Sequence, residues 1–162
     1  MSTPNIGPSR EGSCTITHDV TYALTLHLSH PDANPDSFSA ALGLECTGRK
    51  VLAGQSRSTP KGVVLTGVYP RSHWSHEFPS RDATQLISHL SEITEQLGAS
   101  LPFFKQHASE GGDAELFLGL FVDGNFDDVL PAALFSQLGA LGIDLRLDVY
   151  GQQLRQRQHS DE

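Results

Sequence analysis

Two stretches of this chain change side-chain character with a period of two, and that alternation constrains the fold more than any other feature. In the first, Val20, Tyr22, Leu24, Leu26 and Leu28 alternate with Thr21, Ala23, Thr25, His27 and Ser29. In the second, Ala114, Leu116, Leu118, Leu120 and Val122 alternate with Glu115, Phe117, Gly119, Phe121 and Asp123. Successive side chains of a strand point to opposite faces, so each stretch predicts a long strand with one row on a core and one row turned away. A shorter run, Ile143, Leu145, Leu147 and Val149, predicts a last strand of the same kind.

Between these strands the apolar period becomes helical. Asn34 before Pro35 starts a short helix carrying Phe38, Ala41 and Leu42, which Gly43 can end. Residues 47–61 are polar, glycine-rich and basic and read as a long loop, after which 63–68 and 72–78 read as two strands meeting at Tyr69-Pro70. Asp82 with Gln85 forms a capping-box-like start for a helix bearing Leu86, Ile87, Leu90, Ile93 and Leu97. Past the Glu110-Gly111-Gly112-Asp113 break, Asp127 or Asp128 can cap a third helix bearing Val129, Leu130, Ala133, Leu134, Leu138 and Leu141, with Gly142 as its stop.

The resulting order, β-α-β-β-α-β-α-β, predicts an α+β fold. It is a ferredoxin-like β-α-β-β-α-β core extended by an α-β unit, with a five-stranded, mostly antiparallel sheet and helices on one face. The face left open would carry Thr25, His27, Phe117, Phe121, Arg146 and Tyr150. Residues 1–18 read as a disordered leader, 19–150 as one α+β domain, and 151–162 as a polar tail.

The 162 residues suffice for one core without metal or disulfide support. No run approaches the roughly 18 apolar residues of a membrane span, and the first eighteen residues have neither a basic nor an apolar region of a secretory signal, so a cytoplasmic protein is expected. Cys14 and Cys46 fit no disulfide framework and no metal spacing. A net charge of −8 disfavours nucleic acid and favours a basic protein partner.

The segment AELFLGLFVDGNFDDVLPAALFSQLGALGIDLRLDVY resembles the C-terminal half of a bacterial family catalogued as domain of unknown function 4279. The basic Gly48-Arg49-Lys50 stretch, the His73-Trp74-Ser75 strand and the opening strand through Leu28 also fit it. The resemblance covers roughly residues 19–150 and rests on patterned apolar positions. It implies a small bacterial cytosolic protein and carries no activity, cofactor or catalytic residue with it.

Charge supplies the first candidate site. Between Cys46 and His76 lie Arg49, Lys50, Arg57, Lys61 and Arg71 with no Asp or Glu, although the chain is acidic overall. With Gly48, Gly54 and Gly62 and the hydroxyls of Ser56, Ser58 and Thr59, this segment is a candidate cradle for an anion, and His73 or His76 a candidate acid-base group beside it. The second candidate is a partner-binding surface formed by Phe117, Phe121, Asp123, Asp127, Asp128 and Tyr150, with Asp144 and Asp148 adding charge.

The pairs His27/His30 and His73/His76 are three residues apart on strands and therefore face opposite ways, so neither pair chelates. Asp123, Asn125 and Asp127 start like a calcium loop, but Asp128 and Leu134 stand where glycine and glutamate are needed. Neither a metal nor a cofactor is expected. Trp74 reads as a packing residue with its indole N–H paired. The sequence favours a non-enzymatic protein-binding module, of immunity type in one version, or else a domain for a small anionic molecule; a homodimer through the open face fits either.

Overall fold

The first alternating stretch becomes the central strand of a five-stranded sheet. In the computed structural model, which describes residues 20–151, it is β1 (Val20–His30). There follow α1 (Pro35–Leu42), β2 (Lys50–Val51), β3 (Ser56–Ser58), β4 (Val64–Val68) and β5 (Ser72–Phe78). A 3-10 turn at Ala83–Gln85 leads into α2 (Leu86–Gly98), and then come α3 (Leu101–Ser109), β6 (Asp113–Val122), α4 (Ala132–Leu141) and β7 (Ile143–Gly151). Expectations for the leader and for the tail beyond Gly151 lie outside the described residues. No helix among the described residues is long and apolar enough to cross a membrane.

The main sheet has the order β2-β5-β1-β6-β7. β1 runs antiparallel to β5 and to β6, and β2 antiparallel to β5, whereas β6 and β7 are parallel. The sheet is therefore mixed, not the mostly antiparallel one expected. The cause is α4: a helix joining two neighbouring strands returns the chain to the same end of the sheet, so the strands it joins run in one direction.

The expected ferredoxin-like arrangement is corrected at its edge. The segment 63–68 does not enter the main sheet, and two-residue β2 occupies the position beside β5. The Pro60-Lys61 tip closes on itself instead, with Thr59 N donating to Val63 O and Gly62 N to Thr59 O. These bonds commit β4 to pair with β3 in a separate two-stranded sheet.

Helix boundaries follow the local chemistry. Asn34 Oδ1 accepts from Asp36 N at 3.0 Å, and Gly43 ends α1 at a φ of 65°. Asp82 accepts from Thr84 N ahead of the 3-10 turn. The third predicted helix starts later than expected. Residues 127–131 are not helical and α4 begins at Ala132, because a residue preceding proline is driven out of the helical region and Pro131 stops any helix entering from Leu130. Gly142, at a φ of 67°, then takes the left-handed position that closes the helix at no steric cost. α3 had no counterpart in the sequence reading, although Ser100 and Pro102 mark its first turn.

The inward rows of β1 and β6 form one apolar cluster with residues from every helix, including Phe38, Leu90, Phe104 and Leu134. All helices thus cover one face of the sheet. Trp74 is buried in this layer, and its Nε1 donates to Ser39 Oγ at 2.9 Å, tying α1 to β5 as expected of a packing residue.

Candidate functional site

The outward rows make the other face. His27 of β1 lies opposite Ser75 of β5 and Glu115 of β6, and Ser29 lies opposite His73 and Asp113. Further along, Phe117 faces Thr25 and Arg146, and Phe121 faces Thr21 and Tyr150. This register divides the face into an aromatic end and a polar end. At the aromatic end Phe121 and Tyr150 stack with centroids 4.9 Å apart and planes 10° from parallel.

The polar end is concave. A groove of about 380 Å³ is lined by His27, Ser29, Arg49, His73, Glu115 and Arg146 among others. Arg49 reaches it through a close approach of two backbones: Gly48 N donates to Ser75 O at 3.1 Å and Arg49 N to Ser75 Oγ at 2.7 Å. A Cβ on residue 48 would stand 2.3 Å from Ser75 Oγ, so a side chain there would displace the hydroxyl that accepts from Arg49 N.

The three guanidinium groups at this end differ in their partners. Arg71 donates to Asp113 Oδ2 at 2.8 Å, Gly111 O at 2.7 Å and Ser29 Oγ at 3.3 Å. Arg146 stands 3.7 Å from Glu115 and over the Phe117 ring. Arg49 has no carboxylate within 4.0 Å among the described residues; its guanidinium carbon lies 5.2 Å from the centre of the Tyr69 ring. It is the one of the three guanidinium groups at this end with no carboxylate within 4.0 Å among the described residues.

Both imidazoles of the groove are shifted the same way. Partial burial lowers the His73 pKa, and the charges of Arg49 and Arg71 and the His27 ring lower it further. Burial also lowers that of His27, with Arg146 adding to the fall while Glu115 and Glu77 oppose it. Near neutral pH each ring is uncharged, with one donor and one acceptor nitrogen. An arriving anion would favour protonation of both.

The predicted anion set is only partly assembled. Arg49 and His73 meet in the groove, but Lys50, the next residue, projects to the helix side and holds Asp36 of α1 at 2.8 Å, which raises its pKa. Arg57 and Lys61 belong to the β3–β4 hairpin. The amides expected to cradle an anion serve that segment instead, Gly54 N donating to Tyr69 O and Gly62 N to Thr59 O. The predicted partner set is divided as well. Phe117, Phe121 and Tyr150 lie on the open face, Asp123 follows β6 in a bend, and Asp127 and Asp128 line a second cavity on the helix-bearing side.

The histidine pairs separate as the strand period requires. His27 and His73 are on the open face, whereas His76 stacks on Trp74 and its Nδ1 donates to Glu45 O at 2.7 Å. His30 is buried, and its Nδ1 accepts the amides of Asp32 and Ala33 at 3.2 and 2.9 Å, which places the ring proton on Nε2. The nearby Asp32 carboxylate, 3.3 Å from the same nitrogen, therefore faces a ring atom that carries no proton. His89 pairs with the Tyr22 hydroxyl at 2.8 Å inside the core. No group of three or more metal-ligating side chains occurs among the described residues.

His27 and Arg146 were placed on the open face by periodicity, but nothing in the sequence joined them to Arg49 and His73. Only the cross-strand register does so. No curated protein and no solved structure matches the chain. A family model described as Domain of unknown function (DUF4279) matches residues 19–152.

Proposed function

The chain belongs to the DUF4279 family, and from the geometry of its open sheet face we propose that it is a binding protein for a small molecule bearing a carboxylate or phosphate group. The observation that carries this reading is the uncompensated Arg49 guanidinium in a groove shared with His27 and His73. The groove volume is near the lower end of ligand sites, about 300–1,000 Å³, and suits a metabolite rather than a large cofactor. Arg49 supplies a planar fork for two anionic oxygens, and the imidazole nitrogens supply further hydrogen bonds. Glu115 and Asp113 give the groove a mixed polarity that would orient a ligand with an anionic end and a neutral or cationic remainder.

Isothermal titration with inorganic phosphate and short carboxylates tests this. Arg49→Ala should weaken binding about tenfold or more, the usual worth of a hydrogen bond to a charged group. Lys50→Ala should leave it unchanged, since Lys50 faces Asp36. Equal binding by wild type and Arg49→Ala would show that the groove is not the site.

A protein-binding module is the second reading, favoured by the exposed Phe121–Tyr150 stack. Paired aromatic rings at a surface are the usual anchors of such contacts. Under this reading Phe121→Ala with Tyr150→Ala abolishes partner capture without altering anion binding.

A further inference from the structure

We propose that two copies of this chain associate by a reciprocal arm-in-groove contact, in which the β3–β4 hairpin of each copy seats in the apolar groove beside the other copy's β7. The contact uses neither Arg49 nor the open-face groove.

The arm is a two-stranded sheet on its own, joined to the five-stranded sheet by no strand pairing. Every residue of β3 and β4 is exposed, with Val64 at 72 %, Val68 at 54 % and the adjoining Val63 at 60 %. An isolated two-stranded hairpin is marginal in water and becomes stable when an apolar surface packs against it. Such a surface exposed on an unpaired arm is normally covered in the functional state.

The second cavity provides a cover of matching chemistry. It has a volume of about 400 Å³ and lies between Leu86 and Ile87 of α2, Leu147 and Val149 of β7, and Phe126 and Leu130 of the preceding loop. It exists because helix cover thins along β7: Ile143 is buried, Leu145 half-buried, and Leu147 and Val149 are more than half exposed. The delayed start of α4 leaves residues 126–130 as an irregular wall instead of a helix packed over the strand.

Charge selects the occupant. The arm brings Arg57 and Lys61 from a segment, 46–76, that contains no Asp or Glu, and Asp127 and Asp128 stand at the groove. An apolar hairpin with a basic margin thus meets an apolar trough with an acidic margin.

Topology makes the contact intermolecular. The arm leaves the sheet at the β2/β5 edge, and the groove lies at the β7 edge, with β1 and β6 between. A second copy places both complementary pairs in register at once, the closed arrangement typical of homodimers.

Sedimentation velocity over a concentration series tests the proposal by charge exchange. Wild type should self-associate. Arg57→Glu with Lys61→Glu, and separately Asp127→Lys with Asp128→Lys, should each raise the dimer dissociation constant at least about tenfold. An equimolar mixture of the two variants should associate again, because both of its arm-groove contacts are of opposite charge. That recovery also shows that neither variant has simply failed to fold. A wild type that stays monomeric at its solubility limit overturns the proposal. So do variants that associate like wild type, a mixture that remains monomeric, or association lost with Phe121→Ala and Tyr150→Ala instead.

Discussion

Arg49 enters the open-face groove because residue 48 has no side chain. Gly48→Ala would drive a Cβ into Ser75 Oγ and displace the backbone segment that carries Arg49 ahead of β2. The expected result is weakened anion binding together with a stability loss of about 1–3 kcal/mol, measured by titration calorimetry and chemical denaturation. Lys50→Ala should cost less than about 1 kcal/mol, since its ion pair with Asp36 is solvent-exposed. The buried histidines add a pH signature. Burial is the main cause lowering the pKa of both His107 and His89. The folded chain therefore binds fewer protons than the unfolded chain, whose histidines titrate near about 6.5. Their contribution is complete above that pH and declines as the pH falls below it, so the melting temperature should drop between about pH 7 and about pH 5. A flat profile would contradict the burial of these rings. At this scale the sequence marked Arg49 only as one of five cations in a segment without Asp or Glu, and offered His73 and His76 as alternatives beside it. It also separated His27 from His30 and His73 from His76, because strand geometry alone decides that. Adjacency misled for Lys50: it begins β2 and turns to Asp36 of α1, so grouping it with Arg49 joined two sides of the molecule.

Elements whose apolar period was long and unbroken formed where expected. β1, β6 and the body of α2 needed only the alternation or the helical stripe, and their inward residues make the core. Short or ambiguous segments were decided by tertiary partners instead. Residues 63–68 are strand-like in composition, but whether they join β5 or fold back on β3 depends on the turn at 59–62, and the local turn prevails. Val129 looked like part of a helical stripe and lies exposed, because Pro131 fixes where α4 can begin. α3 went unread since its apolar residues, Leu101, Phe103 and Phe104, are too few to show a period. A pair of substitutions separates core elements from the arm. Leu90→Ala, at a fully buried position of α2, should cost about 2–5 kcal/mol in urea denaturation. Val64→Asp, on the exposed β4, should change the stability of the dilute protein by no more than about 0.5 kcal/mol.

At the scale of the whole molecule, a single helical layer covers one sheet face and, among the described residues, no helix covers the other, and that asymmetry creates both surfaces of interest. The open face gathers cations and neutral imidazoles from four segments into one groove, while the helix-bearing face leaves an apolar trough at the β7 edge. With a net charge of −8 the overall field does not attract anions, so under the proposed function the uncompensated Arg49 would do so locally. Anion binding should accordingly be coupled to protonation of His27 and His73 and strengthen as pH falls from about 8 toward about 6.

The most direct measurement is a titration of the imidazole NMR signals across that pH range, with and without inorganic phosphate. The account predicts that phosphate raises the apparent pKa of His73 and His27 and leaves those of His89 and His107 in place, and that Arg49→Ala removes the effect. Uniform small shifts at all histidines, or shifts that persist in Arg49→Ala, would contradict a binding groove on the open face.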